Sequence, residues 1–213
     1  MEQQFQYYAF ISYKREDEKW AKWLQDRLRW YKLPSKLCRQ ITRLPKKVWP
    51  VFRDNTDLDS GRLEENIRHE LERSHYLIVI CSPEAARSPW VGKEVKYFAT
   101  LHGADKIIPF VVSGIPYSND IETECIHEQI KAISQEELLA INVREEGIGS
   151  FAMKKKRAFI RVVARLLDIK FNTLWQPYER ILRSRKWSTG IGVVLFLFVL
   201  FILWDYYRTR SEE

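Results

Sequence analysis

The run Tyr76–Cys81, YLIVIC, is apolar at every position. Successive side chains of a strand point to opposite faces, so such a run must be covered on both sides. Central strands of parallel sheets meet that condition, with helices packed above and below. Four weaker runs accompany it: Tyr7–Ser12 (YYAFIS), Trp49–Phe52, Ile107–Val112 and Leu139–Val143. Between and after them, apolar residues recur at helical spacing. Trp20, Trp23, Leu24, Arg27, Leu28 and Tyr31 mark a first helix, and Leu63, Ile67 and Leu71 a second. Trp90, Val91, Val95, Phe98 and Leu101 mark a third, and Phe159, Val162, Val163, Leu166 and Leu167 the closing helix. Five alternations of strand and helix predict an α/β fold, a flavodoxin-like doubly wound sheet of five parallel strands. Segment 31–48 reads as a long, basic, proline-punctuated insertion, and segment 113–138 shows no periodicity.

The chain has 213 residues and a formal charge of +7, unevenly spread. Residues 1–153 carry 22 basic and 23 acidic side chains, whereas residues 154–186 carry 11 and 2. From Trp187 to Trp204 there is no charge at all, in WSTGIGVVLFLFVLFILW. Eighteen helical residues span about 27 Å, close to the hydrocarbon thickness of a bilayer. Trp187 at one end, with Trp204, Tyr206 and Tyr207 at the other, have the placement of interfacial aromatic belts. Arg180, Arg183, Arg185 and Lys186 precede the span and only Arg208 and Arg210 follow it. The positive-inside rule then places the N-terminal part in the cytoplasm. The N-terminus, MEQQFQYYAF, has no basic-then-apolar export pattern. The expected organisation is a globular domain over 1–170, a basic juxtamembrane linker over 171–186, a transmembrane helix over 187–207 and a short tail over 208–213. The expected location is the cell (inner) membrane, in a single pass, with the basic segment drawn to anionic lipid.

Several chemistries are excluded by pattern. There is neither a GxGxxG nor a GxxxxGK[ST] loop to cradle phosphates. The histidines His69, His75, His102 and His127 are scattered and none pairs with cysteine at zinc spacing, so no metal site is expected. SPEAARS contains no nucleophile elbow. Three cysteines are too few for a disulfide framework, and Cys81 reads as a core residue. The basic segment 154–186 lacks interleaved stacking aromatics, so no nucleic acid is expected as a partner.

In a doubly wound sheet, ligands bind beyond the carboxyl ends of the strands, which directs attention to loops 13–18, 53–62 and 82–89. Three boxes there, in order, resemble the Toll/interleukin-1 receptor (TIR) domain. They are Phe10-Ile11-Ser12-Tyr13 with Lys14-Arg15, Phe52-Arg53-Asp54 with Leu58-Asp59-Ser60-Gly61, and Ser82-Pro83 followed by Trp90-Val91-Gly92-Lys93-Glu94. The resemblance covers residues 5–170 and implies the five-stranded sheet. It also implies cleavage of NAD+ at the nicotinamide–ribose bond, as in many bacterial, plant and axonal members, while other members are adaptors that assemble through TIR–TIR contacts. NAD+ would be a substrate and no prosthetic group is implied.

Glu94 carries the expected chemistry. It lies four residues after Trp90 and four before Phe98, on the stripe expected to face the sheet, where a carboxylate is costly unless paired or turned into a cleft. Two readings stand: a carboxylate in a cleft, or one at the helix edge paired with Lys93 or Lys96. Cleaving a glycosidic bond passes through an oxocarbenium-like transition state that a carboxylate stabilises. Lys14 and Arg15 either meet a pyrophosphate or are solvated loop charge. The resemblance makes Asp59 and Tyr13 ligand contacts; Asp59 otherwise serves as a turn residue before Gly61. Trp90 either walls the pocket or packs in the core, and Leu63 stands where some members place a stacking ring. The leading expectation is therefore a membrane-anchored NAD+ glycohydrolase, or a cyclase releasing a cyclic ADP-ribose isomer. It would be activated by assembly through loop 53–62 in bacterial anti-phage signalling. The alternative is a non-catalytic adaptor that assembles TIR domains at the membrane.

Overall fold

The structure, a computed structural model, describes residues 5–41, 44–45, 47–53, 61–133, 140–144, 147, 149–176 and 200, with the backbone alone for residues 36 and 61–64. Asp54, Asp57 and Asp59, and the uncharged stretch 187–204 apart from residue 200, lie outside the described residues. Among the described residues no helix is long and apolar enough to cross a membrane. Two compact units divide the chain, Met1–Ile169 and Lys170–Glu213.

The first unit runs β1 (Tyr7–Ser12), α1 (Glu18–Trp30), α2 (Ser35–Gln40), β2 (Val51–Arg53), α3 (Gly61–Glu72), β3 (Ser74–Cys81), α4 (Pro83–Ala86), α5 (Pro89–His102), β4 (Ile107–Val111), α6 (Glu128–Ile133), β5 (Ile141–Asn142) and α7 (Phe151–Leu166). The strands form one five-stranded parallel sheet in the order β2-β1-β3-β4-β5. Phe10 of β1 lies opposite Phe52 of β2 and Leu77 of β3, so aromatic and aliphatic side chains form a continuous row across the sheet. The central strand is β3, as its uniform apolarity requires, and from Tyr76 to Cys81 no residue exceeds 4% exposure. Leu77, Val79 and Cys81 join a core with α3, α5 and α6. On the opposite face Trp23 of α1 stacks on Phe110 of β4 and meets Phe159 of α7 edge-on.

Several sequence expectations shift. β2 begins at Val51 rather than Trp49, because Pro50 has no N–H to give a ladder. β5 is only Ile141–Asn142, with Val143 N–H donating to the Val111 carbonyl. The insertion 31–48 contains α2, with Leu33 and Leu37 buried. Within 113–138, α6 packs on α5, preceded by a loop organised by Glu124. That carboxylate accepts from the Tyr117 and Ile126 amides and pairs with Lys131. In the second unit a helical turn at 171–176 stacks Phe171 on Trp175.

Candidate active site

The chain leaves β1 through α1, on one face of the sheet, and leaves β3 through α5, on the other. Adjacent strands whose connections part in this way open a crevice at their carboxyl ends. The loop after β1 tightens into a 3-10 turn, Arg15–Asp17, that buries the Asp17 side chain. Ser82, capping α4, accepts from the Ala85 amide and donates to Asp17 Oδ2 at 2.5 Å. Burial raises the Asp17 carboxyl above the usual carboxylate range, while the Ser82 bond opposes that rise. The two loops at the crevice are therefore tied to each other.

Tyr13 is held by a different group. Arg53 ends β2 with its side chain 7% exposed. Its Nη1 donates to Tyr13 Oη at 3.0 Å and to Glu18 Oε1 at 3.3 Å, and its Nε donates to Gln25 Oε1 at 3.1 Å. Gln25 in turn donates to the Val51 carbonyl at 3.1 Å. The Tyr13 hydroxyl is thus committed within the domain. Lys14 is half-buried and Arg15 exposed.

Helix α5 starts on Pro89, which fits a first helical turn because its missing N–H has no intrahelical partner to lose. Val91, Val95 and Phe98 are its buried stripe. Trp90 is 47% exposed and Leu101 45%, so both leave the core that the periodicity assigned to them. Glu94 is half-buried, one position before Val95, hence rotated about 100° away from the sheet toward α3. The stripe expected to face the sheet is thus displaced, and the acid avoids the apolar layer.

There it lines a cleft of about 310 Å³ between α3 and α5, with Trp90, Lys93, Lys96, Tyr97 and, from α3, Arg68 over an Ile67–Leu71 floor. Lys93 Nζ sits 4.5 Å from the Trp90 ring centre, and the Arg68 guanidinium 5.4 Å from that of Tyr97. The Tyr97 hydroxyl donates to Glu72 at 2.5 Å, which raises the phenol above its ordinary range. One carboxylate among three cations and two rings suits a ligand with anionic groups, a flat ring and a centre that becomes cationic during reaction.

Among the predicted site residues, Glu94 and Trp90 share this cleft, whereas Tyr13, Lys14 and Arg15 do not line it. Asp59 lies outside the described residues. Arg68 and Tyr97 were missed, since each adjoins an apolar stripe and reads as solvated surface. Among the described residues no three His, Cys, Asp or Glu side chains gather as metal ligands.

On its other side α5 meets a larger cavity of about 730 Å³, bounded by the 118–131 segment and reached by Lys93 and Lys96 from across the helix. Gly92 is the point of closest approach, because a Cβ there would lie 2.5 Å from His127 Cε1. The buried His127 accepts the Gln129 amide at Nδ1, at 3.0 Å, and bonds the Ser88 backbone, joining the starts of α5 and α6.

The fold is a doubly wound parallel α/β domain, with a cationic, aromatic-walled cleft around Glu94 between α3 and α5. Residues 9–139 match the TIR domain family, and the chain belongs to it. Over 110 residues it is 36% identical to the NAD(+) hydrolase ApTIR of Actinoplanes sp.. That alignment covers 51% of this chain but only 14% of the relative. The chain is also similar to the TIR domains of the activated Roq1 resistosome directly recognizing the pathogen effector XopQ. The identity is 14% and the TM-score 0.48, over 72% of this chain and 98% of that one.

Proposed function

We propose that the chain is an NAD+ glycohydrolase with Glu94 as its catalytic carboxylate. The observation that carries this reading is the placement of Glu94 beside α3, in a cleft with Trp90, Tyr97, Arg68, Lys93 and Lys96. The NAD(+) hydrolase relative supports it, sharing 36% identity over 110 residues. In the reaction the C1′–N bond breaks and its electron pair goes to nicotinamide, which leaves neutral. Positive charge accumulates on the ribose C1′ and ring oxygen. Glu94 opposes that charge in the transition state, and water then adds at C1′ and releases a proton. The cations offset the pyrophosphate charge and Trp90 offers a ring face to a base. If the adenine replaces water as nucleophile, the product is a cyclic ADP-ribose isomer, so product analysis separates the two outcomes.

The wider setting belongs to the same proposal. The uncharged stretch 187–204 would anchor the chain in one pass, with the domain in the cytoplasm. Assembly through the acidic loop carrying Asp54, Asp57 and Asp59 would activate it, in bacterial defence against phage. The test is release of nicotinamide from NAD+ by the assembled chain. Glu94→Gln should lower turnover at least about 100-fold, the scale of losing one electrostatic stabiliser. Undiminished release by Glu94→Gln, or no release by the assembled wild type, refutes the proposal.

A further inference from the structure

Basic residues that are scattered in the sequence converge in the fold. Residues 18–50 carry ten basic and two acidic side chains, and residues 151–169 carry six and one. The rest of 1–169 carries 12 basic against 21 acidic. Helices α1, α2 and α7, which lie within those segments, pack on the same side of the sheet. Trp23 of α1 and Tyr31 just after it both meet Phe159 of α7 edge-on, and Cys38 of α2 lies close enough to Tyr31 to act on its hydroxyl. Helices α3, α5 and α6 occupy the opposite side.

On the basic side Lys19, Lys22, Arg27, Arg29, Lys32 and Arg39 are exposed. Lys155 lies 4.3 Å from the Trp20 ring centre and 4.2 Å from that of Trp23, and burial together with Arg27 pushes its ammonium below the ordinary lysine range. Cations therefore crowd one another here. Trp30 stands out at 74% exposure beside Arg29, whose guanidinium is 5.5 Å from its ring centre, and Phe151 is 54% exposed. A wide basic surface edged by exposed aromatics suits a bilayer interface, where cations meet headgroup phosphates and rings enter the boundary.

We infer that the α1/α2/α7 face is a docking surface for an anionic lipid bilayer, and that docking turns the α3/α5 cleft away from the membrane. The inference rests on the membrane-anchored reading for its source of anionic surface. Only 17 residues separate Ile169 from Trp187. Even fully extended they reach about 60 Å, so an anchored domain stays close to the headgroups. Anionic lipid attracts the exposed cations of α1, α2 and α7, while the rest of residues 1–169 carries an acidic excess that it repels. The cleft then opens toward a soluble nucleotide instead of being covered by lipid.

The test is lysine acetylation footprinting, read by mass spectrometry, on the full chain in nanodiscs of phosphatidylcholine alone or mixed with phosphatidylserine. Lys19, Lys22 and Lys32 should lose at least about fivefold in reactivity in the anionic discs, the factor for one basic side chain held at such a surface. Lys93 and Lys96 should not change. About 1 M salt, with its Debye length of about 3 Å, should restore reactivity. Lys22→Glu/Arg29→Glu should abolish the protection of Lys19 and Lys32 while the chain still enters the discs. Equal reactivity in both discs overturns the inference, as does equal protection of Lys93 and Lys96. Stronger protection by duplex DNA in neutral discs than by anionic lipid also overturns it and reassigns the face to nucleic acid. A chain that enters no disc refutes the anchor separately, and the footprint is then read with added anionic vesicles.

Discussion

Replacing Gly92 by alanine opposes two effects of known sign. Position 92 lies inside α5, where alanine is favoured over glycine by about 1 kcal/mol. Helix propensity alone therefore predicts a stabilised protein. The neighbouring contact predicts the reverse. The added methyl would lie 2.5 Å from His127 Cε1 and 2.7 Å from Nε2, well inside van der Waals contact. His127 is 7% exposed, and its ring is held by the Gln129 amide and the Ser88 backbone. The imidazole can retreat only by giving up those bonds, worth about 0.5–1.5 kcal/mol each, or α5 must part from α6. Overpacking of this kind costs about 1–3 kcal/mol. With one lost bond added and the propensity gain subtracted, Gly92→Ala should destabilise the domain by about 1–3 kcal/mol, or a fall in Tm of roughly 2–10 °C. Thermal denaturation followed by circular dichroism measures it. Gly92→Ala/His127→Ala supplies the second leg, since removal of the ring removes the clash and the double variant should be less destabilised than the two single changes added. A Gly92→Ala protein as stable as wild type, or more stable, refutes the argument that ring contact sets the identity of residue 92.

Three other expectations concern Arg53, three histidines and the cysteines. Arg53→Ala should cost about 2–3 kcal/mol in urea denaturation, because it removes the donor to Gln25 Oε1 and to the Tyr13 hydroxyl at a site where the guanidinium side chain is 7% exposed. Arg53→Lys should recover part of that loss. Burial depresses the affinity of His75, His102 and His127 for protons. The unfolded chain therefore takes up protons below about pH 6.5 that the folded chain refuses, so stability is complete above that pH and is lost as the pH falls through the folded values. Urea midpoints measured between about pH 5 and pH 7 should rise with pH; the raised Asp17 acts in the opposite sense, from its folded value down to the ordinary carboxylate value. Cys81 and Cys125 are each 1% exposed, and burial pushes the Cys81 thiol up, whereas Cys38 is half-buried. A thiol reagent should label Cys38 in the native protein and the other two only on unfolding, which mass spectrometry of the labelled peptides would check.

The sheet was legible because its signal is local. YLIVIC needs cover on both faces wherever it sits, and β3 is indeed central, with every residue from Tyr76 to Cys81 buried. Strand ends were less legible, since a ladder requires a partner that lies far along the chain. β2 shows this: Trp49 and Pro50 look like strand, but pairing with β1 starts at Val51. At the candidate site, Glu94 could be singled out as an acid among apolar neighbours, yet its direction could not. A shift of one residue turns a helical side chain by about 100°, and the true apolar stripe begins at Val91 rather than Trp90. Arg68 and Tyr97 carried no signal of their own, because only the packing of α3 against α5 brings them to the cleft.

By itself, the sequence determined the fold class, the TIR boxes and the uncharged stretch 187–204, all of which rest on patterns within a few turns or strand lengths of chain. Tertiary structure decided what those patterns face. It turned Glu94 toward α3, committed Tyr13 to Arg53, and brought Gly92 against His127. It also changed the meaning of the charge. Along the chain the basic excess looked confined to residues 154–186, but α7 packs beside α1 and α2, and their pooled cations form one side of the domain. Coulomb interactions depend on distance in space, and the crossovers of a doubly wound sheet place segments that lie far apart in the sequence on the same layer.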